Sequence, residues 1–461
     1  MKSINNYIFI IILVISGACA DALLELEPKS EATSASYFKN ANDFNTALLV
    51  VYDNLQGQVN DYFELIEYRS DNLFLSAPTA GTQDRYNLDH FVETTANQLV
   101  LDFWRTSYQC ISRTNDIISR IDDVKFDEDL KTRYKAEAQF LRAYNYLNLV
   151  RLWGNVPLVL SPLGPDDALK TGREQSSKVY EAIIADLTYA VDNLPDQNEN
   201  ADLGRVTSHA ARALRAKTNL TLSNWDIASY DLYQIIASNQ FQLLDDISNV
   251  FNVQQEFNNE VIFAIRFNKE IVGEGHGRWF ATPDTITSNP TTPALLAAYQ
   301  VGDARRKVIA FTKSGTTFVL NKFFDEQSGV TNTVGNDYIL LRYADIILMQ
   351  AEALNEVGYV PNGQAFSLLN AVRNRAGLPS LNSANLISQE EFREAVLHER
   401  WLEFPFEAQR WFDLIRTGSA SEQVTLHQGI SMQSHQYLYP IPQTEIEKMN
   451  NSSIFPQNPG Y

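Results

Sequence analysis

The chain has 461 residues, 44% of them hydrophobic and 20% charged, which is the composition of a globular protein able to bury one large core or two closely packed ones. Its formal net charge of -19 would repel phosphate backbones and excludes nucleic acid as the main partner.

The first residues set a positive Lys2 ahead of an apolar run at 7–15, then Ser16, Gly17 and Ala18 before Cys19. The run is too short to span a bilayer comfortably, and with the small residues after it this is the layout of an export signal. Cleavage before Cys19 would leave its thiol as an acylation point, as in bacterial lipoproteins, with Ser16 in place of the usual Leu three positions before the cysteine. The expectation is a signal peptide at 1–18 and a lipidated tether at 19–45, held to a membrane at about 0.8 kcal/mol per buried CH₂. Cys110 would then remain as the single thiol of the mature chain, beside Tyr108 and Ile111, where a buried small hydrophobe is expected. No later run of eighteen apolar residues is present.

A first helical run includes 47–52. From 62 to 98 the pattern breaks into short pieces rich in small and turn-forming residues, among them Asp71-Asn72 and Arg85-Tyr86, and reads as a long surface loop. Two long antiparallel helices are expected near 99–121 and 129–152. The second carries an apolar stripe of Ala136, Phe140, Ala143, Tyr144, Leu147 and Val150, and Gly154 and Pro157 end it. A helix at 180–194 stops at Pro195, an alanine-rich helix runs to Leu222, and 225–238 returns as its partner. Ala216 ahead of Ala228 and Leu232 parallels Ala351 ahead of Ala365 and Leu369. A helix, a turn and a second helix with alanines at the contacts is a degraded tetratricopeptide-like unit, and about four such hairpins are expected.

Residues 262–266 read as a short strand. A glycine-flanked Arg278-Trp279-Phe280 follows, without the Gly-Lys-Ser/Thr of a phosphate loop. Polar, turn-rich sequence continues until 338–348, where the helices are expected to restart. At 396–416 an amphipathic helix is expected, with a kink or break between Trp401 and Phe406 at Pro405 and a left-handed stop at Gly418. Spacings of three predict intrahelical ion pairs, Arg400 with Glu403 and Glu407 with Arg410. His398-Glu399 begins like a zinc-protease motif, but Leu402 stands where the second His belongs, and no metal site is expected. Thr444 and Glu447 predict a capping box on a short last helix.

The run from Glu399-Arg400 through Gln409-Arg410-Trp411-Phe412-Asp413-Leu414-Ile415-Arg416-Thr417-Gly418 closely resembles the signature of the SusD/RagB family of nutrient-capturing outer-membrane lipoproteins of Bacteroidota. So do three other stretches in the expected order: 146–159, 338–348, and the end at 437–448 with 457–461. Asp71-Asn72 matches a polar pair often found there in the family. The resemblance implies a mainly α fold, one domain at 46–461, with tetratricopeptide-like hairpins at about 99–240 and 338–417 as scaffold. Irregular loops at about 62–98 and 262–337, with a few short strands, would carry the ligand face. It further implies a surface-exposed, lipid-anchored receptor without cofactor that captures oligosaccharide or peptide and passes it to a SusC-like TonB-dependent transporter of the outer membrane.

Aromatic rings that stack on sugar C–H faces, beside side chains that pair with hydroxyls, make Asp71, Asn72, Arg85, Tyr86, Arg278, Trp279 and Phe280 the candidate ligand contacts. Two other classes fit parts of the pattern: a helical glycosidase using a carboxylate pair such as Asp71 and Glu274, and a repeat adaptor binding another protein.

Overall fold

The computed structural model describes residues 37–461 apart from 79–80, 200–201, 269–270, 272–275, 278–290, 314–316, 321 and 324–332. The export signal, Cys19, Arg278, Trp279, Phe280 and Glu274 lie outside the described residues.

The first helix, α1 (Ala41–Glu67), starts where Asn40 accepts from the Asn42 and Asp43 amides while the Asp43 carboxylate accepts from the Asn40 amide, a reciprocal cap. It runs far beyond the expected 47–52, so residues 62–67 are its last turns and are buried. After the short α2 (Gln83–Asp89) come the two expected long helices, α3 (Gln98–Arg120) and α4 (Glu128–Trp153), the latter stopped at Gly154 with φ of 72°. Next in sequence are α5 (Ser176–Asn193), α6 (Ser208–Thr221) and α7 (Trp225–Ala237), then α8 (Tyr343–Val357), α9 (Gln364–Arg375) and α10 (Gln389–Glu403).

From α1 and α3 through α4 to α9 each helix packs on the next, with α10 also against α8, and this gives the mainly helical scaffold of stacked hairpins. Ala210, Ala211, Ala213 and Ala216 are fully buried in α6, where the missing side-chain bulk allows close helix approach. α4 departs from its expected single stripe. Every residue from Phe140 to Val150 is buried, because α1, α3, α5 and α6 all pack on it. Cys110 is buried, and burial pushes its thiol up to about 11, so it behaves as the expected small hydrophobe.

Residues 338–342 do not restart the helices. They form β2 (Tyr338–Arg342), antiparallel to β1 (Val261–Ile265) with Ile265 opposite Tyr338, and α8 begins at Tyr343. β2 is buried on both faces, so its apolar run has no alternation to separate it from a helix.

At Pro405 the signature helix breaks outright. α10 ends at Glu403, Phe406 and Ala408 take φ of 69° and 53°, and α11 (Arg410–Arg416) follows. Gly418, at φ 71°, closes α11 as the Ser419 amide donates to Leu414 and the Gly418 amide to Ile415. The expected intrahelical ion pairs are absent because the break turns these side chains inward to different partners. Arg400 pairs with Asp345 and Asp413; Glu403 with Arg305, Arg342 and Arg375; Glu407 with Lys322 and Arg342. Arg342 alone reaches Glu260, Glu403 and Glu407, each at 2.7 Å, and is 1% exposed. Such charges are retained in a core only when every partner is in place. The last helix, α13 (Gln443–Met449), which follows α12 (Ala420–Gln428), lacks the expected capping box. Gln443 instead bonds Glu447, and Thr444 accepts from Arg105.

Candidate functional site

Between α1 and α3 the chain turns back at 68–73 and meets the distant signature. Asp71, fully buried, accepts from Arg410 Nε at 2.7 Å and Nη2 at 2.8 Å, and lies 2.7 Å from His427 Nδ1 on α12. Burial alone would raise its pKa, but the Arg410 guanidinium and His427 hold the carboxyl well below the usual range. Asn72 donates to Glu67 at 2.8 Å and accepts the Trp401 indole N–H at 3.0 Å. Glu67 also accepts from the Ala408 amide, and burial pushes it up to about 7. The Trp401 ring stacks on His427, 4.8 Å away and 9° from parallel, with Arg410 over its face. Thr292 hydroxyl and amide donate to the Asp71 and Asn72 carbonyls at 2.7 and 2.9 Å, and Leu73 bridges Thr291. This lattice ties three distant parts of the sequence into one rigid base.

On that base the chain emerges as Phe74 and α2. Tyr86 stacks on His90 at 3.8 Å and 21°, and Phe74 meets the same imidazole at 5.3 Å. All three rings are half-buried. Asp89 fixes their spacing: it accepts from the Leu75 amide at 2.8 Å and lies 3.2 Å from His90 Nδ1. That bond raises the His90 pKa, against partial burial. Beneath them Arg85 donates to Glu64 at 2.8 Å. Asp61, next to this pair, is pushed up to about 7 by burial and by the Glu64 and Asp102 carboxylates. The result is a three-ring shelf above a partly neutralised acidic floor. Such a surface offers ring faces to C–H groups and polar atoms to hydroxyls.

The expected contacts therefore separate. Tyr86 is on the shelf. Asp71, Asn72 and Arg85 are fully or nearly buried with polar atoms bonded internally. An Asp71 carboxylate closed by Arg410 also has no free oxygen for hydrolysis. Phe74 and His90, which are not among the expected contacts, share the shelf with Tyr86. Tyr86 and His90 are four residues apart, one helical turn, and that spacing was the available signal. Among the described residues no group of three His, Cys, Asp or Glu could hold a metal ion, and no helix is long and apolar enough to cross a membrane.

Two family models match the chain: one described as "SusD family" over residues 298–461, the other as "Starch-binding associating with outer membrane" over 23–220. A relative named SusD-like protein P2 from Formosa agariphila is 28% identical, with 98% of this chain and 99% of that protein covered. The solved structure titled "Laminarin binding SusD-like protein" superposes with a TM-score of 0.80 at 26% identity, covering 92% of this chain and 100% of the other. A surface glycan-binding protein A from Bacteroides fluxus has the same fold, with a TM-score of 0.79 at 23% identity over 92% and 100% of the two chains.

Proposed function

Since this chain belongs to the SusD/RagB family, we propose that it is a non-catalytic receptor of the outer-membrane surface that captures oligosaccharide and delivers it to a SusC-like TonB-dependent transporter. The single observation that carries the ligand class is the ring shelf of Phe74, Tyr86 and His90 on a base locked by the signature residues. A 26% identical protein of the same fold that binds laminarin supports it. Peptide would use the same groups and is the second ligand to test.

In this reading Tyr86 contacts the ligand directly, and Arg278, Trp279 and Phe280 are proposed from sequence as its further contacts. Asp71, Asn72 and Arg85 hold the shelf in place. Cys19, acylated after cleavage of 1–18, anchors the protein through the tether at 19–45. One domain at 46–461 carries the rest.

Affinity electrophoresis in gels containing laminarin or starch, beside pull-down of the lipidated protein from its native membrane, tests both halves. Retardation by glycan and recovery of a TonB-dependent barrel support the reading. Unretarded migration, or recovery of a different envelope protein, overturns it.

A further inference from the structure

A second recess lies away from the shelf, a cleft of about 210 Å³ floored by β1 and walled by the chain before α6 and the turns after α7. The two sites are set apart by α1. Its Asn45 side chain binds Arg205 at the cleft, whereas its Glu64 binds Arg85 under the shelf. These positions are nineteen residues apart on one helix, about 28 Å at the rise of an α-helix.

The chemistry of the lining is consistent along its length. Gln197, Gln240 and Asn259 supply amides, and Phe241 and Phe257 supply rings. Of the two charged side chains of the lining, Arg205 is bound to Glu137 and Asp202, and the exposed Asp196 accepts from the Ser208 hydroxyl.

Two features mark the inner wall of the cleft and its mouth. Phe241 meets the His209 ring edge-on at 5.5 Å, and the buried His209 bonds the Gln240 side chain. His209 is 4% exposed, and burial lowers its pKa and keeps it neutral, able to donate at one nitrogen and accept at the other. Gln240 lines the cleft, so of this pair it is the side chain that a ligand hydroxyl can reach. At the mouth, Phe257 is 39% exposed and is held at φ 58°, a left-handed conformation costly for a bulky aromatic, with the Arg266 guanidinium 4.6 Å over its ring.

We propose that this cleft is a second carbohydrate site, binding one neutral sugar ring between Phe241 and Phe257 with hydroxyls toward Gln240 and Asn259. The volume suits one ring, since an apolar cavity of ~150 Å³ already admits benzene. A glycan long enough to reach both shelf and cleft would be held at two points, which raises avidity without any new contact.

Saturation-transfer NMR with D-glucose, D-galactose and D-mannose as probes, and triglycine as the peptide control, tests the site on the purified protein. Transfer to at least one sugar is expected in wild type and in the shelf variant Tyr86→Ala, falling about fivefold when Phe257→Ala is added to Tyr86→Ala. Asn259→Ala, on the exposed rim and added to Tyr86→Ala in the same way, is expected to weaken transfer in the same direction and serves if the first variant folds poorly. No transfer to any sugar, equal transfer in Tyr86→Ala and both cleft variants, or Phe257-dependent transfer to triglycine instead, overturns the proposal. Transfer in wild type that is lost in Tyr86→Ala would place sugar at the shelf alone, leaving the receptor reading intact and this one refuted.

Discussion

Arg410 grips Asp71 with both ends of its guanidinium, at 2.7 and 2.8 Å, across 339 positions of sequence. The pair is buried, so removing one partner leaves a charge in the core, a change that costs about 3–5 kcal/mol. Arg410→Ala is expected to lose that much stability in urea denaturation and to weaken glycan binding as well, since the shelf rests on this pair. Asp71→Asn, which keeps the shape and one acceptor, is expected to lose less.

Acid acts on the same lattice. Burial opposes ionisation of Asp71, Asp345 and Glu403, but their cationic partners outweigh it and hold all three carboxyls below their usual range. Carboxylates depressed in the folded state stabilise it fully above their unfolded values, and that stability is lost as pH falls below about 4 toward the folded values. Thermal unfolding scans should show a steep fall in midpoint across that window, removed in part by Asp71→Asn.

Asp61 has the opposite sign. Its carboxyl is raised to about 7 in the fold, so its contribution declines as pH rises from about 4 through 7, where the ionised form faces Glu64 and Asp102. Asp61→Asn cannot ionise. Relative to wild type it should gain on the order of 1–3 kcal/mol at pH 8 over its effect at pH 5. Equal effects at both pH values would show that Asp61 titrates normally.

The proposed anchor rests on one atom. Cys19→Ala is expected to move the protein from the membrane fraction to the soluble fraction while leaving glycan affinity unchanged, as read by fractionation and mass spectrometry of the N-terminus. A variant that stays in the membrane would mean that another segment holds it there.

Much of the scaffold was legible because long helices declare themselves through periodicity, caps and breakers. Gly154, Pro195 and Gly418 end helices where their backbone chemistry requires. β2 was misread because an element buried on both faces has no polar side, and the ion pairs of 400–410 were misassigned because Pro405 redirects them to partners far away in sequence. The same reason hid the role of Asp71 and Asn72. A polar pair in a stretch broken into short pieces looks exposed until the arginine and tryptophan that cover it arrive from the C-terminal signature. Phe74 and His90 became visible only when α2 brought their rings together.

Isothermal titration of laminarin and starch oligosaccharides into wild type, Tyr86→Ala and Trp279→Ala, with chromatography of the sugar afterwards, tests the central claim most directly. Saturable binding to wild type is predicted, weakened about tenfold or more in each variant with unfolding midpoints unchanged, and the oligosaccharide recovered intact. Shortened sugar products, or affinities that neither substitution alters, would contradict it.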